Sequence, residues 1–299
     1  MSRKTELRTD LDRVGYQLSG GHMTRQSRNG TFRTFARVMR ELGFGIHAAH
    51  QIGGRHLLAY AQHRAAEGIK GRTCAKELSH MRAVLRQIGK QGLAENPAYR
   101  NKALGIERGS RLGTKQPMSD ATVLAFQERM ARLGRPCIGS ILELQRAFGL
   151  RENEAIRAGQ VETLSRWQRE LQERGWVCVV EGTKGGRQRE VHPAELNRAL
   201  AAVQGALELL EATGQPYLVI RADGAVPTGL RQVVKIYTNL CSRAGIQNHA
   251  ARYAFARERM QAYRSQGFSE REARAATSLD LGHGDGRGRY VASVYVRSP

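Results

Sequence analysis

Close to the C-terminal end of the chain stand His249-Ala-Ala-Arg252, then Leu281-Gly282-His283, then the late tyrosine Tyr295. Arginine grips phosphate oxygens with a planar fork of donors. Imidazole donates a hydrogen bond or shuttles a proton. Tyrosine becomes a covalent nucleophile where nearby cations favour its phenolate. Together these residues form a kit for chemistry on a phosphate. None is diagnostic alone, so the upstream sequence has to supply the missing parts.

Composition narrows the partners. A chain of 299 residues is long enough for two domains, and 40% apolar with 6% aromatic residues fits a soluble globular protein. No apolar run approaches the ~20 residues of a membrane span. The first residues lack an apolar signal core, which argues against secretion. Cys74, Cys137, Cys178 and Cys241 are scattered without a C-x-x-C pair, and read as reduced intracellular thiols. The net charge of +21 favours a polyanion, because cationic side chains release the counterions condensed on nucleic acid. The excess is uneven: residues 1–115 carry 22 Lys+Arg against 8 Asp+Glu, and residues 116–299 carry 26 against 19.

Periodicity organises the rest. Residues 1–24 are polar, basic and broken by Gly20-Gly21, and are read as a basic arm or a short helix. Phe32, Phe35, Ala36, Met39 and Leu42 recur at helical spacing, and a second helix is predicted from Arg55 to Ala66. Leu78, Met81, Leu85 and Ile88 mark a third, with Thr73 as its predicted N-cap and Gly92 closing it. This is a helical module over residues 25–103 whose basic faces suit a DNA clamp, with Arg33, Arg37, Arg72, Arg82 and Arg86 as candidate contacts. Residues 104–118 have the Gly, Ser and Pro content of a linker.

A second domain is expected over residues 119–299. Ser119-Asp120 caps a helix from Ala121 to Leu133, and another covers Ile138 to Phe148. Arg151 and Glu154 lie on neighbouring positions of one helical face. The period then changes: Trp176-Val-Cys-Val-Val180 and Arg187 to His192 flank a Gly-rich turn, a β-hairpin with Lys184 near its tip. Further helices follow around Leu230–Leu240 and from His249 to Arg264, the latter placing His249 and Arg252 on one face. Ser269-Glu-Arg-Glu272 is a capping box for one more. The fold class is therefore mainly α with one small hairpin in the C-terminal domain.

In chain order, Gly149-Leu150-Arg151-x-x-Glu154, the hairpin Lys184, His249-x-x-Arg252, Leu281-Gly282-His283 and a terminal tyrosine resemble the catalytic domain of a tyrosine recombinase, the phage-integrase class. Thr73-Cys-Ala-Lys-Glu-Leu-Ser-His through Asn96-Pro97 is similar to that family's helical core-binding domain, and Lys115-Gln-Pro-Met-Ser-Asp120 to its usual lead-in to the catalytic domain. The resemblance implies site-specific DNA recombination through a 3′-phosphotyrosyl intermediate, with neither a metal nor another cofactor. Tyr295 would attack the phosphate, Arg151 and Arg252 would hold its oxygens, and Lys184 would protonate the departing 5′-oxygen. His249 and His283 would assist, and Glu154 would brace an arginine. Implied partners are double-stranded DNA, further copies of the chain in a synaptic tetramer and an accessory DNA-bending or directionality factor, with no membrane. The implied location is the cytoplasm, at the nucleoid.

Two departures from the family pattern matter. Tyr253 stands where histidine is common, and the stretch from Gly284 to Tyr295 is long and glycine-rich, with Tyr290 as an alternative nucleophile. That approach implies a mobile tyrosine, withdrawn until DNA and a partner subunit order it. A type IB topoisomerase and a catalytically silent DNA-binding accessory factor are the competing readings.

Overall fold

The computed structural model describes residues 6–107, 109 and 112–296, apart from the side chain of Lys184. The chain divides into two units, Met1–Ser110 and Arg111–Pro299, each with its own hydrophobic core. Among the described residues the fold is mainly helical, with one two-stranded antiparallel sheet in the second unit. No helix among them is long and apolar enough to cross a membrane.

The first unit contains α1 (Leu7–Gln17), α2 (His22–Glu41), α3 (Gly54–Ala66), α4 (Gly71–Gln87) and the short α5 (Gln91–Glu95). The stripes Phe32, Phe35 and Met39 of α2 and Leu78, Met81 and Leu85 of α4 are buried, as their spacing predicts. Each such side chain contributes roughly 1.5–3 kcal/mol on leaving water. Inside this core Glu77 accepts hydrogen bonds from Tyr60 Oη at 2.9 Å and from Arg64 Nε and Nη2 at 3.0 and 2.8 Å. Full pairing is what lets a buried carboxylate persist.

Three details bear on the sequence expectations. Residues 1–24, expected as a basic arm or a short helix, contain α1, whose Leu7, Leu11 and Val14 are buried in this core. Their spacing of four and three is a helical stripe that the surrounding charges conceal. Thr73 lies inside α4 and does not cap it, because the Lys70 carbonyl takes its main-chain N–H at 2.8 Å and starts the helix earlier. Leu104 and Ile106, within the expected linker, are buried in the same core.

The second unit is built around α7 (Pro136–Phe148). Ile138, Ile141, Leu142, Leu144 and Phe148 bury nearly all of its circumference, the pattern of a helix with no solvent face. It packs against α6 (Asp120–Arg132), α10 (Leu196–Thr213) and α12 (Ala250–Ser265). The other elements are α8 (Glu152–Ala158), α9 (Val161–Arg174), α11 (Leu230–Arg243), α13 (Glu270–Asp280), the short α14 (Gly288–Val291) and one π-helical turn, Ala292–Val296. Ser119 caps α6 through the Thr122 N–H, and the Ser269–Glu272 capping box opens α13.

Strands β1 (Val177–Val179) and β2 (Arg189–Val191) pair with Val177 opposite Val191 and Val179 opposite Arg189. Trp167 of α9 donates from Nε1 to the Cys178 carbonyl at 3.1 Å, and Glu170 accepts from the Cys178 N–H at 2.8 Å. These bonds seat the hairpin on α9.

Candidate active site

The site begins where α7 ends. Gly149 is left-handed at φ 59°, and a Cβ there would meet the Phe255 ring at 2.2 Å, so both backbone and space require glycine. The reversal aims the Gly149 carbonyl inward and places Arg151 at the head of α8. Glu154 accepts from the Arg151 main-chain N–H and from Arg151 Nη1, both at 2.7 Å. Glu154 has no solvent exposure. From β2, Arg189 reaches the same carboxylate with Nη1 at 2.7 Å and Nη2 at 2.8 Å. Burial pushes the Glu154 carboxyl up, but hydrogen bonds and charge from Arg189, with Arg252 and Arg151, prevail and hold it at about 2.

Arg252, on the first turn of α12, is wholly buried. Its Nη1 and Nη2 donate to the carbonyls of Gly149 and Leu281, and its Nε donates to Tyr295 Oη at 3.2 Å. All three acceptors are neutral. Burial, with Arg151 and Arg189 nearby, lowers its pKa to about 10, which leaves it charged at neutral pH. Arg151, Arg189 and Arg252 thus face Glu154 as the one carboxylate that the first two share. The cluster carries excess positive charge, and such a surplus in a desolvated setting attracts an anion strongly.

The tyrosine is not withdrawn, contrary to the expectation from its glycine-rich approach. Tyr295 sits in the π-helical turn at 2% exposure, edge-on to Tyr253 with centroids 4.8 Å apart. Its hydroxyl lies 3.2 Å from His283 Nε2. Tyr290 stacks edge-on against His283 at 4.7 Å and is 39% exposed, outside the hydroxyl's hydrogen bonds. His283 is pushed down to about 3 by burial and then by Arg252, Arg151, Arg189 and Arg287. His249, the residue before α12, is pushed down to about 4 by burial and then by Arg252, Lys115 and Arg151. Both imidazoles are therefore neutral at pH 7.

Arg151, His249, His283, Tyr290 and Tyr295 line one open cavity of about 1140 Å³. Lys184 begins the tight turn Lys184–Gly186 at the hairpin tip. Its side chain lies outside the described residues, but Thr183 and Gly185 on either side line the same cavity. The sequence reading missed Arg189. The signal was present: in a strand that alternates buried and exposed residues, Arg189 takes an inward position like Val191. It also missed Lys115, which donates to Gln247 Oε1 at 2.7 Å close to His249.

The arginines proposed for the first unit behave differently from one another. Arg33, Arg72 and Arg86 are exposed, Arg86 lying 3.5 Å from Glu95. Arg37 is paired with Glu41 at 2.7 Å and Glu67 at 2.8 Å. Arg82 is half-buried and donates to the Tyr99 carbonyl at 2.6 Å and to Asn101 Oδ1 at 2.9 Å. With Arg86, Arg100 and Lys102 it lines a groove of about 940 Å³.

The second unit is thus a helical domain with one hairpin, in which Arg151, His249, His283 and Tyr295 line one cavity and buried Arg252 is hydrogen-bonded to Tyr295. Residues 105–258 match the integrase family and residues 4–94 the phage integrase N-terminal domain. The chain belongs to the integrase family of tyrosine recombinases. No curated protein matches. Among solved structures the fold is similar to a lambda integrase tetramer bound to a Holliday junction, at TM-score 0.62 and 14% identity over 97% of this chain and 78% of that one. It is also similar to the Tn1549 transposon integrase in complex with circular intermediate DNA, at TM-score 0.60 and 12% identity over 99% and 97%. A third is the XerH site-specific recombinase bound to difH, at TM-score 0.55 and 14% identity over 95% and 80%. The integrase match ends before His283 and Tyr295.

Proposed function

We propose that this chain is a site-specific DNA recombinase that breaks and rejoins strands through a 3′-phosphotyrosyl intermediate, with Tyr295 as nucleophile. The observation that carries this reading is the shared hydroxyl: Tyr295 Oη lies within hydrogen-bond distance of buried Arg252 and of His283. Arg252 Nε–H is a donor only, so it occupies an oxygen lone pair and leaves the phenolic proton free to point at His283 Nε2. A scissile phosphate entering the cavity would accept hydrogen bonds on its oxygens from Arg151 and Arg252 and cancel much of their charge. Both histidines would then become more basic, His283 as proton acceptor and His249 as hydrogen-bond donor to the phosphate. Phosphate charge that grows in the transition state meets guanidinium groups already in place.

Attack by Tyr295 Oη forms the oxygen–phosphorus bond as the 5′-oxygen leaves, and Lys184 supplies that oxygen's proton. A 5′-hydroxyl from another strand reverses the step, so the phosphodiester's energy is conserved. Arg33, Arg72 and Arg86, with the groove at Arg82, offer phosphate contacts that position DNA without reading sequence. Structural relatives are held on DNA as dimers and tetramers, which supports a synaptic assembly of several copies, with an accessory DNA-bending or directionality factor as a further partner. The match of residues 4–94 to the phage integrase N-terminal domain favours this over topoisomerase-like relaxation.

The test uses a library of nicked duplexes randomised across the cleavage window, with recovery of protein-linked DNA after denaturation. Wild type and Tyr290→Phe are expected to capture DNA, and Tyr295→Phe to capture none. Capture by Tyr295→Phe with loss in Tyr290→Phe would move the nucleophile to Tyr290. No capture by wild type, with duplex still retained in gel shift, would leave the DNA-binding accessory factor.

A further inference from the structure

We infer that Arg189 is a positioning residue for the reaction: it locks the Glu154 brace and the Asp280–Gly282 backbone into one frame, and so sets both phosphate-binding arginines. The inference rests on the recombinase reading above, and it adds a residue that acts through Glu154 and the Asp280 carbonyl.

All three nitrogens of its guanidinium are committed. Nη1 and Nη2 form the fork to Glu154, and Nε donates to the Asp280 carbonyl at 2.9 Å. Each contact leads to a phosphate ligand. Glu154 holds Arg151 through main chain and side chain. The next carbonyl after Asp280, that of Leu281, receives Arg252 and also Arg151 Nη2 at 3.3 Å. Asp280 is itself fixed, because its carboxylate accepts from Arg259 Nε at 3.0 Å and Tyr263 Oη at 2.9 Å and from the His192 N–H at 3.2 Å. Arg189 sits on β2, five residues after Lys184. The strand that leaves the Lys184 turn is therefore tied to the segments that carry Arg151, Arg252 and His283.

A planar fork with five donors makes this three-way link, whereas a lysine supplies only a point charge. Arg189 is almost entirely buried, as is its carboxylate partner, so losing one leaves the other uncompensated. Glu154 is faced by Arg151 from the head of α8, Arg189 from β2 and Arg252 from α12, with His283 beyond α13 among the same charges. Without Arg189 the buried carboxyl rises towards protonation. A neutral Glu154 no longer anchors Arg151, so its hold is present at high pH and lost as pH falls through the raised value.

The experiment measures the rate and pH profile of covalent capture on the duplexes recovered with wild type, together with duplex retention in gel shift. Arg189→Met is expected to slow capture roughly 100-fold near neutrality, the scale of a small misplacement in a catalytic constellation. Duplex retention is expected to be unchanged, and a new acid limb to appear in the profile. Arg189→Lys should restore the wild-type profile but not the full rate. In a Glu154→Gln background Arg189→Met should add little, because both act through one link. If Arg189→Met unfolds, Arg189→Lys and its cycle with Glu154→Gln carry the test alone. Wild-type rate and profile in the variants, or effects that add in full to Glu154→Gln, would overturn the inference and leave the recombinase reading intact. Absence of any wild-type adduct would remove that reading, and the inference with it.

Discussion

The two halves of the site are held by different physics. The cationic half, made of Arg151, Glu154, Arg189 and Arg252, is cross-linked by charged hydrogen bonds among buried groups. The nucleophile half, Gly284 to Val296, is a loop, one turn of helix and a π-helical turn. Its polar links outward are separate hydrogen bonds, among them Tyr295 Oη to Arg252 and His283, Arg257 Nε to the Tyr295 carbonyl at 3.4 Å, Ser278 Oγ to the Gly284 carbonyl at 3.0 Å and the Gly113 N–H to the Ser293 carbonyl at 3.1 Å, while Val291, Val294 and Tyr295 pack into the core. Preorganised donors must not move while charge develops. A nucleophile must travel between hydroxyl and phosphodiester, so weaker tethers suit it.

Replacing a member of the rigid half should do most damage. Arg252→Met is expected to lower covalent capture by on the order of 10²–10³-fold, the cost of removing one preorganised oxyanion donor. It also leaves the Gly149 carbonyl without its Arg252 donor, at about 1–3 kcal/mol for a buried group, and the Leu281 carbonyl with the longer bond from Arg151 Nη2. A lowered melting temperature together with lost capture is the expected pair of results. Full stability in Arg252→Met would show that this half is not cross-linked as described.

The softer half should give a smaller and more selective effect. A Cβ at Gly113 would come within 1.7 Å of the Val294 carbonyl oxygen. Gly113→Ala must displace either that segment or the nucleophile turn, and is expected to slow capture by roughly 10–100-fold. Gly113 and Val294 are both buried, so melting should fall as well, but by less than in Arg252→Met, since no charged group loses its partners. A large loss of stability with unchanged capture per folded molecule would erase the contrast between the halves.

The last effect is electrostatic and is absent at neutral pH. His249 and His283 hold pKa values of about 4 and about 3 in the fold, below the ~6.5 of an unfolded histidine. The unfolded chain binds these protons first, so the two residues destabilise the fold as pH falls from about 6.5 towards those values. Each contributes up to about 1.4 kcal/mol per pH unit within that window, before solvent screening reduces it. His249→Gln with His283→Gln should flatten the acid side of denaturation midpoints measured against pH. Inorganic phosphate should raise both histidine pKa values in wild-type NMR titrations, and an unchanged pair would argue against an anion seat between the arginines.

What the sequence made legible follows the same division. Arg151 and Glu154, and His249 and Arg252, are close enough in sequence for one helical turn to bring each pair together, so spacing alone proposes them. Arg189 meets Glu154 across 35 positions, a pairing fixed by hairpin register and by how the hairpin docks on α9. Helices α9 and α10 were not read, although Leu164, Trp167 and Leu171 of α9 are spaced three and four apart and buried. In the first unit, basic residues were counted as one outward-facing class. Arg37 proves to be neutralised by two glutamates, while Arg82 is half-buried and donates to the Tyr99 carbonyl and Asn101 Oδ1. Net charge counts cations without saying which are already paired.

The segment that precedes α6 has a mechanical meaning. Gly113 bonds to the turn that carries Tyr295, and Met118 donates its N–H to the Ala250 carbonyl at 3.2 Å, two residues before Arg252. The chain that leaves the first unit is stitched in passing to the nucleophile turn and then to the arginine helix. A shift of residues 113–118 would therefore be felt at two places at once, the turn that carries Tyr295 and the head of the helix that carries Arg252.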